Sequence, residues 1–552
     1  MELTRSEAVI ETGNPIEIFA VRWRFWILGL ITLAGAIVRG LGIHDGTLFK
    51  DDAWVALSAR VPFGTALHML VTTPGFTLFE RFWIGLDPSA SWFAQLPSFV
   101  ASVAAIPVIY ALVKSARFAT WLALLASLLT ASCVTAIAFG AHVKPYAFDT
   151  LLAALIIGIA QRTITESTPR SLTLLGILGV LTPWWSLSLA VVVIGSWVVL
   201  ALVAIFTRRH VLVTLLGAIA SALSILIEHV VLKRQQTHAL TEFWHSYFIE
   251  TSGPSAFVHS LTTTAWRLLA MVTIDRGGTP PLLLGLAALL VWVILIGLAA
   301  RRVPVAIGVL AAAAVSSADH LSPLGTQRTD LYLLPAILLI VVAAIERVVA
   351  EVSRRWGTSA GTSITGAILA LSLVSSLSLM VVVAPPRIRI EPGPTPDTML
   401  PDLRPAHAAA MAELQTPGTI LLVEESLYEW AYSFMNPIGI VYAPEAQTSF
   451  GVTGPHPHVI LPEAIGSATQ LWLRPSDVTE ISRATRLITL RPNGEHVDPL
   501  APKLANLCWL PVSNRSIGSD VLTTYHQACT PSSGSPLKDI GARQAPQGPT
   551  GN

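Results

Sequence analysis

Long runs of apolar residues, separated by short segments that contain Lys or Arg, dominate the chain. The first run extends from Phe25 to about Ile43 and follows Arg22 and Arg24. About 20 apolar residues are enough for a helix to cross a bilayer. Further runs lie at about 93–113, 118–139, 145–160, 171–206, 212–232, 281–300, 303–317, 331–349 and 362–384. The pattern predicts a mostly α, polytopic membrane helix bundle.

The run 171–206 is too long for one crossing, and Pro183, Trp184 and Trp185 in its middle predict a tight hairpin. With this division the chain has about eleven spans. Every short loop then assigned to the cytoplasm carries at least two Lys or Arg, as the positive-inside rule requires. We therefore expect a multi-pass protein of the inner (plasma) membrane with residues 1–24 in the cytoplasm. Its membrane domain would cover 25–384, with outer loops at 44–92 and 233–280.

Residues 385–530 have a different pattern, in which short apolar runs alternate with helix-compatible segments. The runs 419–423, 438–442, 458–461 and 470–473 predict strands, and 406–415, 426–434 and 476–488 predict helices. An odd number of spans places this α/β domain outside the cytoplasm. The tail at 531–552 is rich in Pro, Ser, Gly and Gln, a composition typical of disorder.

Composition agrees with a membrane protein and excludes one class of partner. The chain is 53% hydrophobic and 12% charged, with a mean hydropathy of +0.62, whereas typical soluble domains are about 25% charged. Its net charge is +1 and no basic block is present, which argues against nucleic acid. Cys133 lies in an apolar run, whereas Cys508 and Cys529 fall in the predicted exported domain, where a disulfide is chemically permitted. The sequence leaves their pairing open.

Two adjacent carboxylates, Asp51 and Asp52, follow the first span closely. Carboxylates near hydrocarbon persist mainly where they face water, a cation or a substrate. In a structural interpretation, the pair stabilises the N-terminus of a short helix that begins near Ala53. In a functional one, it supplies a general base for an acceptor hydroxyl, or ligands for a divalent metal cation that neutralises a phosphate leaving group. The sequence leaves both open.

Further polar residues lie at the predicted outer ends of spans. Lys144 is either a snorkelling anchor or a phosphate contact, and Tyr146 is either an interfacial aromatic or a substrate contact. Asp149, one turn inside a span, should face the protein interior. It is a candidate substrate or phosphate contact, as is Asp330 further along the chain.

Two more candidates lie further along the chain. Arg328 either pairs with Asp330 or holds a phosphate, for which its planar guanidinium is well suited. Trp244, in the second outer loop, either stacks on a sugar ring or belongs to an aromatic belt.

Four of these segments resemble one family when taken together. They are the acidic pair after the first span, Gln95-Leu-Pro-Ser98 opening the next, Lys144-Pro-Tyr-x-x-Asp149, and Gly325-x-x-Arg-Thr-Asp330. Their order resembles that in bacterial membrane glycosyltransferases related to protein O-mannosyltransferases, C-type enzymes classed with glycosyltransferase family 39 and its relatives. The resemblance covers about residues 25–350. It departs at Gln95, where the family usually has Arg, and at Asp52, which is commonly Glu.

The resemblance implies a GT-C-like fold and an inverting transfer of a sugar from a polyprenyl-phosphate-linked donor to an acceptor on the outer face. Asp51 would be the general base, with Asp52 as its partner or as a metal ligand. Lys144 and Arg328 would contact phosphate or substrate. The acceptor, whether glycan, lipid or protein, is not specified.

Two other classes of function compete with this one. A transporter or flippase of a lipid-linked glycan would place charged residues along its spans and show repeated halves. Here most charge gathers at the outer ends of the spans, and no repeat is visible. A non-catalytic membrane scaffold with an exported binding domain is the third alternative.

Overall fold

The computed structural model describes residues 15–528 apart from short internal segments. These segments are residues 65, 67–71, 89, 167, 233–243, 274–278, 386–401, 425–426, 435–438, 443–449, 454–457, 462, 466–469, 474, 493–499 and 518–519. The predicted disordered tail lies outside the described residues. The chain forms two compact units. We call residues 1–45 with 72–399 the membrane unit, and residues 46–71 with 400–552 the α/β unit.

Most of the first 385 residues are helical, as the apolar runs predict. In chain order the helices are α1 (Pro15–Gly40), α2 (Lys50–Arg60), α3 (Pro74–Ile84), α4 (Ser91–Ser115), α5 (Thr120–Ser132), α6 (Val134–Ala138), α7 (Tyr146–Glu166), α8 (Pro169–Trp185), α9 (Leu187–Thr207), α10 (Val211–Leu232), α11 (Pro254–Thr273), α12 (Leu282–Ala299), α13 (Pro304–Ala318), α14 (Leu334–Trp356) and α15 (Thr358–Ser378). Of these, α2 belongs to the α/β unit. The chain has the predicted fold class of a polytopic helix bundle followed by a smaller α/β region.

Each of the eleven predicted spans contains a helix, but the helices differ in length. Among the described residues, eight are long and apolar enough to cross a membrane. The helices α5, α8 and α13 are shorter, with 13, 17 and 15 residues. The predicted hairpin within 171–206 is present, because α8 ends at Trp185 and α9 begins at Leu187.

Close helix crossings in the membrane unit depend on glycine. Helices α9 and α13 meet where a Cβ on Gly195 would lie 2.6 Å from the Cα of Val309 and 2.7 Å from the carbonyl oxygen of Gly308. Small residues permit such close backbone approach in membrane helices. This crossing lies within the large apolar core that α4, α5, α7, α9, α13 and α14 share.

The short helix α3 packs on the membrane unit through aromatic side chains. Phe76 and Phe79 contact the Trp185 ring, with ring centroids 5.7 and 5.0 Å apart. Phe148 of α7 contacts the same indole at 5.1 Å. This aromatic cluster joins the region before α4 to the start of α7.

The α/β unit is built on a five-stranded sheet with the order β4-β1-β7-β9-β8. Its strands are β1 (Thr419–Val423), β4 (Val459–Ile460), β7 (Arg486–Pro492), β8 (Trp509–Ile517) and β9 (Asp520–Gln527), and two small hairpins add β2 (Gly439–Tyr442), β3 (Phe450–Thr453), β5 (Glu463–Ile465) and β6 (Gln470–Trp472). Strand β1 runs parallel to β4 and β7, whereas β9 is antiparallel to β7 and β8. The helices of this part are α16 (Arg404–Glu413), α17 (Leu427–Phe434), α18 (Pro475–Arg483) and α19 (Ala501–Asn506).

One secondary-structure prediction in this unit is wrong at its end. The helix predicted over 476–488 ends at Arg483, and residues 486–492 form the central strand β7. The sequence Arg486-Leu-Ile-Thr-Leu490 contains β-branched residues that fit a strand buried on both faces. Pairing with β1 on one side and β9 on the other determines this segment's conformation.

Candidate functional site

The two aspartates predicted as catalytic lie in the first turn of α2. Asp52 is buried, with 2% exposure, and Asp51 is partly exposed. The helix begins at Lys50 rather than near Ala53, so both aspartates lie in its first turn, near the positive end of the helix dipole. Stabilising the helix start is therefore one role of this pair, and a catalytic role would be additional.

Helix α2 is part of the α/β unit because it packs on α17. The Arg60 guanidinium donates a hydrogen bond to the carbonyl oxygen of Tyr432 at 2.6 Å and lies 5.3 Å from the Tyr432 ring centroid. Just before α2, the Thr47 hydroxyl accepts a hydrogen bond from the backbone N–H of Leu403 at 3.3 Å. The acidic helix is thus fixed by contacts with residues more than 300 positions later in the chain.

One face of α4 organises the region around Lys144 in the membrane unit. The Gln95 amide donates to the carbonyl oxygen of His44 at 3.0 Å. The Ser98 hydroxyl donates to the carbonyl oxygen of Lys144 at 3.2 Å, and Ser102, one turn later, donates to that of Ala136 at 3.3 Å. The segment Gln95-Leu-Pro-Ser98 therefore holds two backbone carbonyl groups, that of His44 just after the first helix and that of Lys144.

Lys144 and Tyr146 lie at the start of α7. Lys144 is 9% exposed. Tyr146 is the first residue of the helix, and its ring packs edge-on against Phe139 with centroids 5.6 Å apart. Packing therefore accounts for part of the role of Tyr146.

Asp149 and Asp330 both lie near the side chain of Tyr332. Asp149 is 1% exposed, as predicted for a carboxylate facing the interior, and the Ser186 hydroxyl hydrogen-bonds to it. Its Oδ1 atom has no hydrogen-bond partner among the residues that the structure describes. The buried Tyr332 side chain lies near both carboxyl groups. The hydroxyl of Thr150, next to Asp149, donates to the carbonyl oxygen of Leu331 at 3.0 Å and joins the two segments.

Asp330 organises the loop that precedes it. Its Oδ2 atom accepts hydrogen bonds from the backbone N–H of Gln327 at 3.1 Å and the hydroxyl of Thr326 at 3.2 Å. Burial raises the pKa of Asp330 to about 6, although the hydrogen bonds from the loop favour the charged form. The carboxylate is thus held by its own loop rather than by an ion pair with Arg328.

The same loop presents Arg328 to an aromatic pair. The Arg328 guanidinium lies 5.2 Å from the Trp244 ring, and that of Arg267 lies 4.3 Å from the Tyr247 ring. The two rings are 5.6 Å apart in an edge-on arrangement. Gly325, with φ of +86°, allows this packing, since a Cβ there would approach the Arg267 side chain to 3.1 Å. Cationic and aromatic groups of this kind suit an anionic glycoconjugate.

The structure therefore brings some predicted residues together and assigns others to a separate unit. Arg328 lies beside Trp244, and Asp149 shares a buried cluster with Asp330. Asp51 and Asp52 belong to the α/β unit, whereas the other predicted contacts belong to the membrane unit.

Several residues of these clusters were not predicted from the sequence. The residues that contact the predicted site residues or their neighbours are Ser102, Ser186, Arg267 and Tyr332. The spacing of Ser98 and Ser102, one turn apart on a predicted helix, was an available signal for the first of these.

The described residues do not form a ready-made metal centre. No group of three or more His, Cys, Asp or Glu side chains among them converges as a metal ion requires. Asp51 and Asp52 would supply two carboxylates to a divalent cation, whose other ligands would be water or substrate phosphate.

Of the three cysteines, Cys133 is a buried free thiol and Cys508 is disulfide-bonded. Cys529 lies outside the described residues.

Comparisons with known proteins identify the fold but no sequence family. No protein-family model matches the chain, and no curated protein does. The crystal structure of ArnT from Cupriavidus metallidurans in the apo state is similar with a TM-score of 0.50 and 12% identity, over 92% of this chain and 98% of that chain. ArnT bound to undecaprenyl phosphate gives a TM-score of 0.49 at 12% identity, over 91% and 98%.

The Archaeoglobus fulgidus oligosaccharyltransferase in complex with Zn and sulfate gives a TM-score of 0.41 at 12% identity, over 74% of this chain and 61% of that chain. ArnT and the oligosaccharyltransferase are both GT-C enzymes. At such low identity the likeness to ArnT concerns the fold alone, and the chain has the fold of a GT-C membrane protein.

Proposed function

We propose that this protein is a glycosyltransferase that moves a sugar from a polyprenyl-phosphate-linked donor to an acceptor hydroxyl at the outer face of the membrane. The observation that carries the proposal is the fold shared with ArnT over 92% of this chain and 98% of that one. The order of the four short motifs, which resembles that of family 39 and its relatives, supports the same class of reaction.

In the proposed reaction, the Asp51 carboxylate accepts the proton of the acceptor hydroxyl. The acceptor oxygen attacks the anomeric carbon, and the bond between that carbon and the phosphate oxygen breaks. The polyprenyl phosphate leaves with the bonding electron pair, and the anomeric configuration is inverted. A base positioned in this way contributes about 10²- to 10⁴-fold to the rate.

The membrane unit supplies candidate contacts for the donor. Lys144 and Arg328 offer positive charge for the phosphate, and Trp244 and Tyr146 offer aromatic surfaces for the sugar. Positive charge on a leaving phosphate stabilises the transition state as the bond breaks.

Asp330 is better suited to holding Arg328 in place than to binding phosphate, because its carboxylate already accepts hydrogen bonds from its own loop. Asp330 fixes the loop that carries Arg328.

The proposal is tested with the purified full chain in lipid vesicles and a panel of polyprenyl-phosphate sugars. The measurement is the release of polyprenyl phosphate in the presence of candidate acceptors. We expect Asp51→Asn to lower turnover by about 10²-fold or more. The matched control is Asp45→Asn, which removes an exposed carboxylate six positions earlier and should leave turnover unchanged. Normal turnover by the Asp51→Asn protein would contradict the proposed base.

A further inference from the structure

Arg39 is a buried cation in the last turn of the first span. It is 0% exposed, and its guanidinium is surrounded by protein oxygen atoms. Its Nε donates to the Ser102 hydroxyl at 2.7 Å, and its Nη1 and Nη2 donate to the carbonyl oxygens of Ala131 and Thr130, both at 2.9 Å. A charged group in a membrane helix is costly to bury and therefore suggests a function.

The two carbonyl groups are available because α5 stops early. The helix ends at Ser132, and Cys133 adopts an extended conformation before α6 begins at Val134. The last carbonyls of a helix have no partner within the helix. Arg39 satisfies two of them and places positive charge at the negative end of the helix dipole. Arg39 thus stabilises an interruption between two helices.

The segment after this interruption leads directly to Lys144, and Arg39 is linked to it at two points, once through Ser102 and once by direct packing. Ser102, which accepts from Arg39, donates to the carbonyl oxygen of Ala136 at 3.3 Å. A Cβ on Gly140 would lie 3.2 Å from the Cγ of Arg39, so the backbone of Gly140 packs on the arginine stem. Four residues later, Ser98 holds the carbonyl oxygen of Lys144.

A small cavity lies between Arg39 and the segments that carry Asp149 and Asp330. It is lined by Arg39, Ser102, Thr130, Phe139, Thr150 and Leu331, among others. Leu331 directly follows Asp330, and Thr150 directly follows Asp149. Arg39 therefore lines one cavity together with the sequence neighbours of both buried carboxylates.

From this geometry we infer that Arg39 is a positioning residue for the donor contacts. It fixes the backbone path of residues 133–144 and thereby the position of Lys144. The expected loss of kcat rests on the proposed function. The structural part of the inference, the control of residues 133–144 by Arg39, can be measured independently.

Glu17 offers a matched control on the same two helices. It lies in the first turn of α1, 6% exposed, and accepts the backbone N–H groups of Thr120 and Trp121 at 2.8 and 3.2 Å. Glu17 therefore caps the beginning of α5, whereas Arg39 caps its end. Loss of either residue weakens the packing of α1 on α5, but only Arg39 contacts the path to Lys144.

The first test compares Arg39→Met, Arg39→Lys and Glu17→Gln in the full chain, by thermal unfolding and by donor turnover. We expect Arg39→Met to lower kcat by roughly 10- to 100-fold, because a displacement near 1 Å is enough for such a loss. Arg39→Lys should restore part of it by retaining the charge. Glu17→Gln should lower the unfolding temperature without lowering kcat. Equal kcat losses in Arg39→Met and Glu17→Gln would overturn the inference, since they would show a general loss of packing.

The second test is hydrogen exchange over residues 133–144, which requires no substrate. Arg39→Met should speed exchange in this segment at least several-fold relative to wild type, while exchange in α9 stays unchanged. Unaltered exchange at 133–144 would overturn the inference. If the wild-type protein turns over none of the donors, the proposed function fails, and the exchange experiment alone decides the role of Arg39.

Discussion

Among individual residues, Asp330 is buried, holds its loop by hydrogen bonds and should make the stability of the protein depend on pH. Its carboxylate is fully buried, and two hydrogen bonds from Thr326 and Gln327 shape the loop that carries Arg328. Burial raises its pKa from 3.8 to about 6 in the folded protein. In the unfolded chain the group should titrate near 3.8. The folded state therefore retains a proton between these two pH values that the unfolded state has lost.

The sign of the pH dependence follows from this difference. The contribution of Asp330 to stability is complete below about pH 4 and is lost as the pH rises through about 6. The two pKa values correspond to roughly 3 kcal/mol of unfolding free energy. Asp330→Asn keeps an acceptor for the loop but cannot ionise, so its stability should fall less between pH 4.5 and 7.

Thermal unfolding in mild detergent across this pH range measures the effect. Asp319→Asn is the control, since Asp319 is exposed near the start of the same connection. Parallel pH profiles for wild type and Asp330→Asn would contradict the assignment.

At the scale of helices and strands, hydrophobic patterning was sufficient for most of the membrane unit. Each predicted span contains a helix because lipid requires backbone hydrogen bonds to be satisfied within the segment. The early end of α5 at Ser132 was not predictable, since its apolar run continues to residue 139. The strand β7 was missed for a related reason: its partners β1 and β9 determine its conformation.

Close helix crossings lead to a prediction about glycine. A Cβ at position 195 would lie 2.6 Å from the Cα of Val309, and backbone atoms cannot rotate away. We expect Gly195→Ala to destabilise the protein by about 1–3 kcal/mol through overpacking. Gly297→Ala is the matched control, because nothing lies within 4 Å of a Cβ added there. Equal unfolding temperatures for the two variants in detergent would show that α9 and α13 separate easily.

For the whole molecule, the main result that the sequence did not predict is the placement of the acidic helix. Residues 46–71 follow the first span in sequence, yet they fold with residues 400–552. The hydrogen bond from Arg60 to Tyr432 connects positions 372 residues apart. The pattern of hydrophobic and polar residues shows only local periodicity. A contact between residues so far apart in sequence produces no periodic pattern. The sequence thus indicated Asp51 and Asp52 but not the unit that holds them.

This placement predicts the effect of removing the α/β unit. A chain that ends near Pro385 would leave α2 without α17, so Arg60 would lose its contacts with Tyr432. We expect such a chain to lose donor turnover itself, rather than only its selectivity among acceptors, because Asp51 would no longer be held in place. A chain that ends after residue 530 retains α17 and the sheet and should keep turnover. Both are measured by release of polyprenyl phosphate, with limited proteolysis at residues 46–71 as a structural readout. Wild-type turnover by the shorter chain would mean that α2 holds the catalytic group without the rest of its unit.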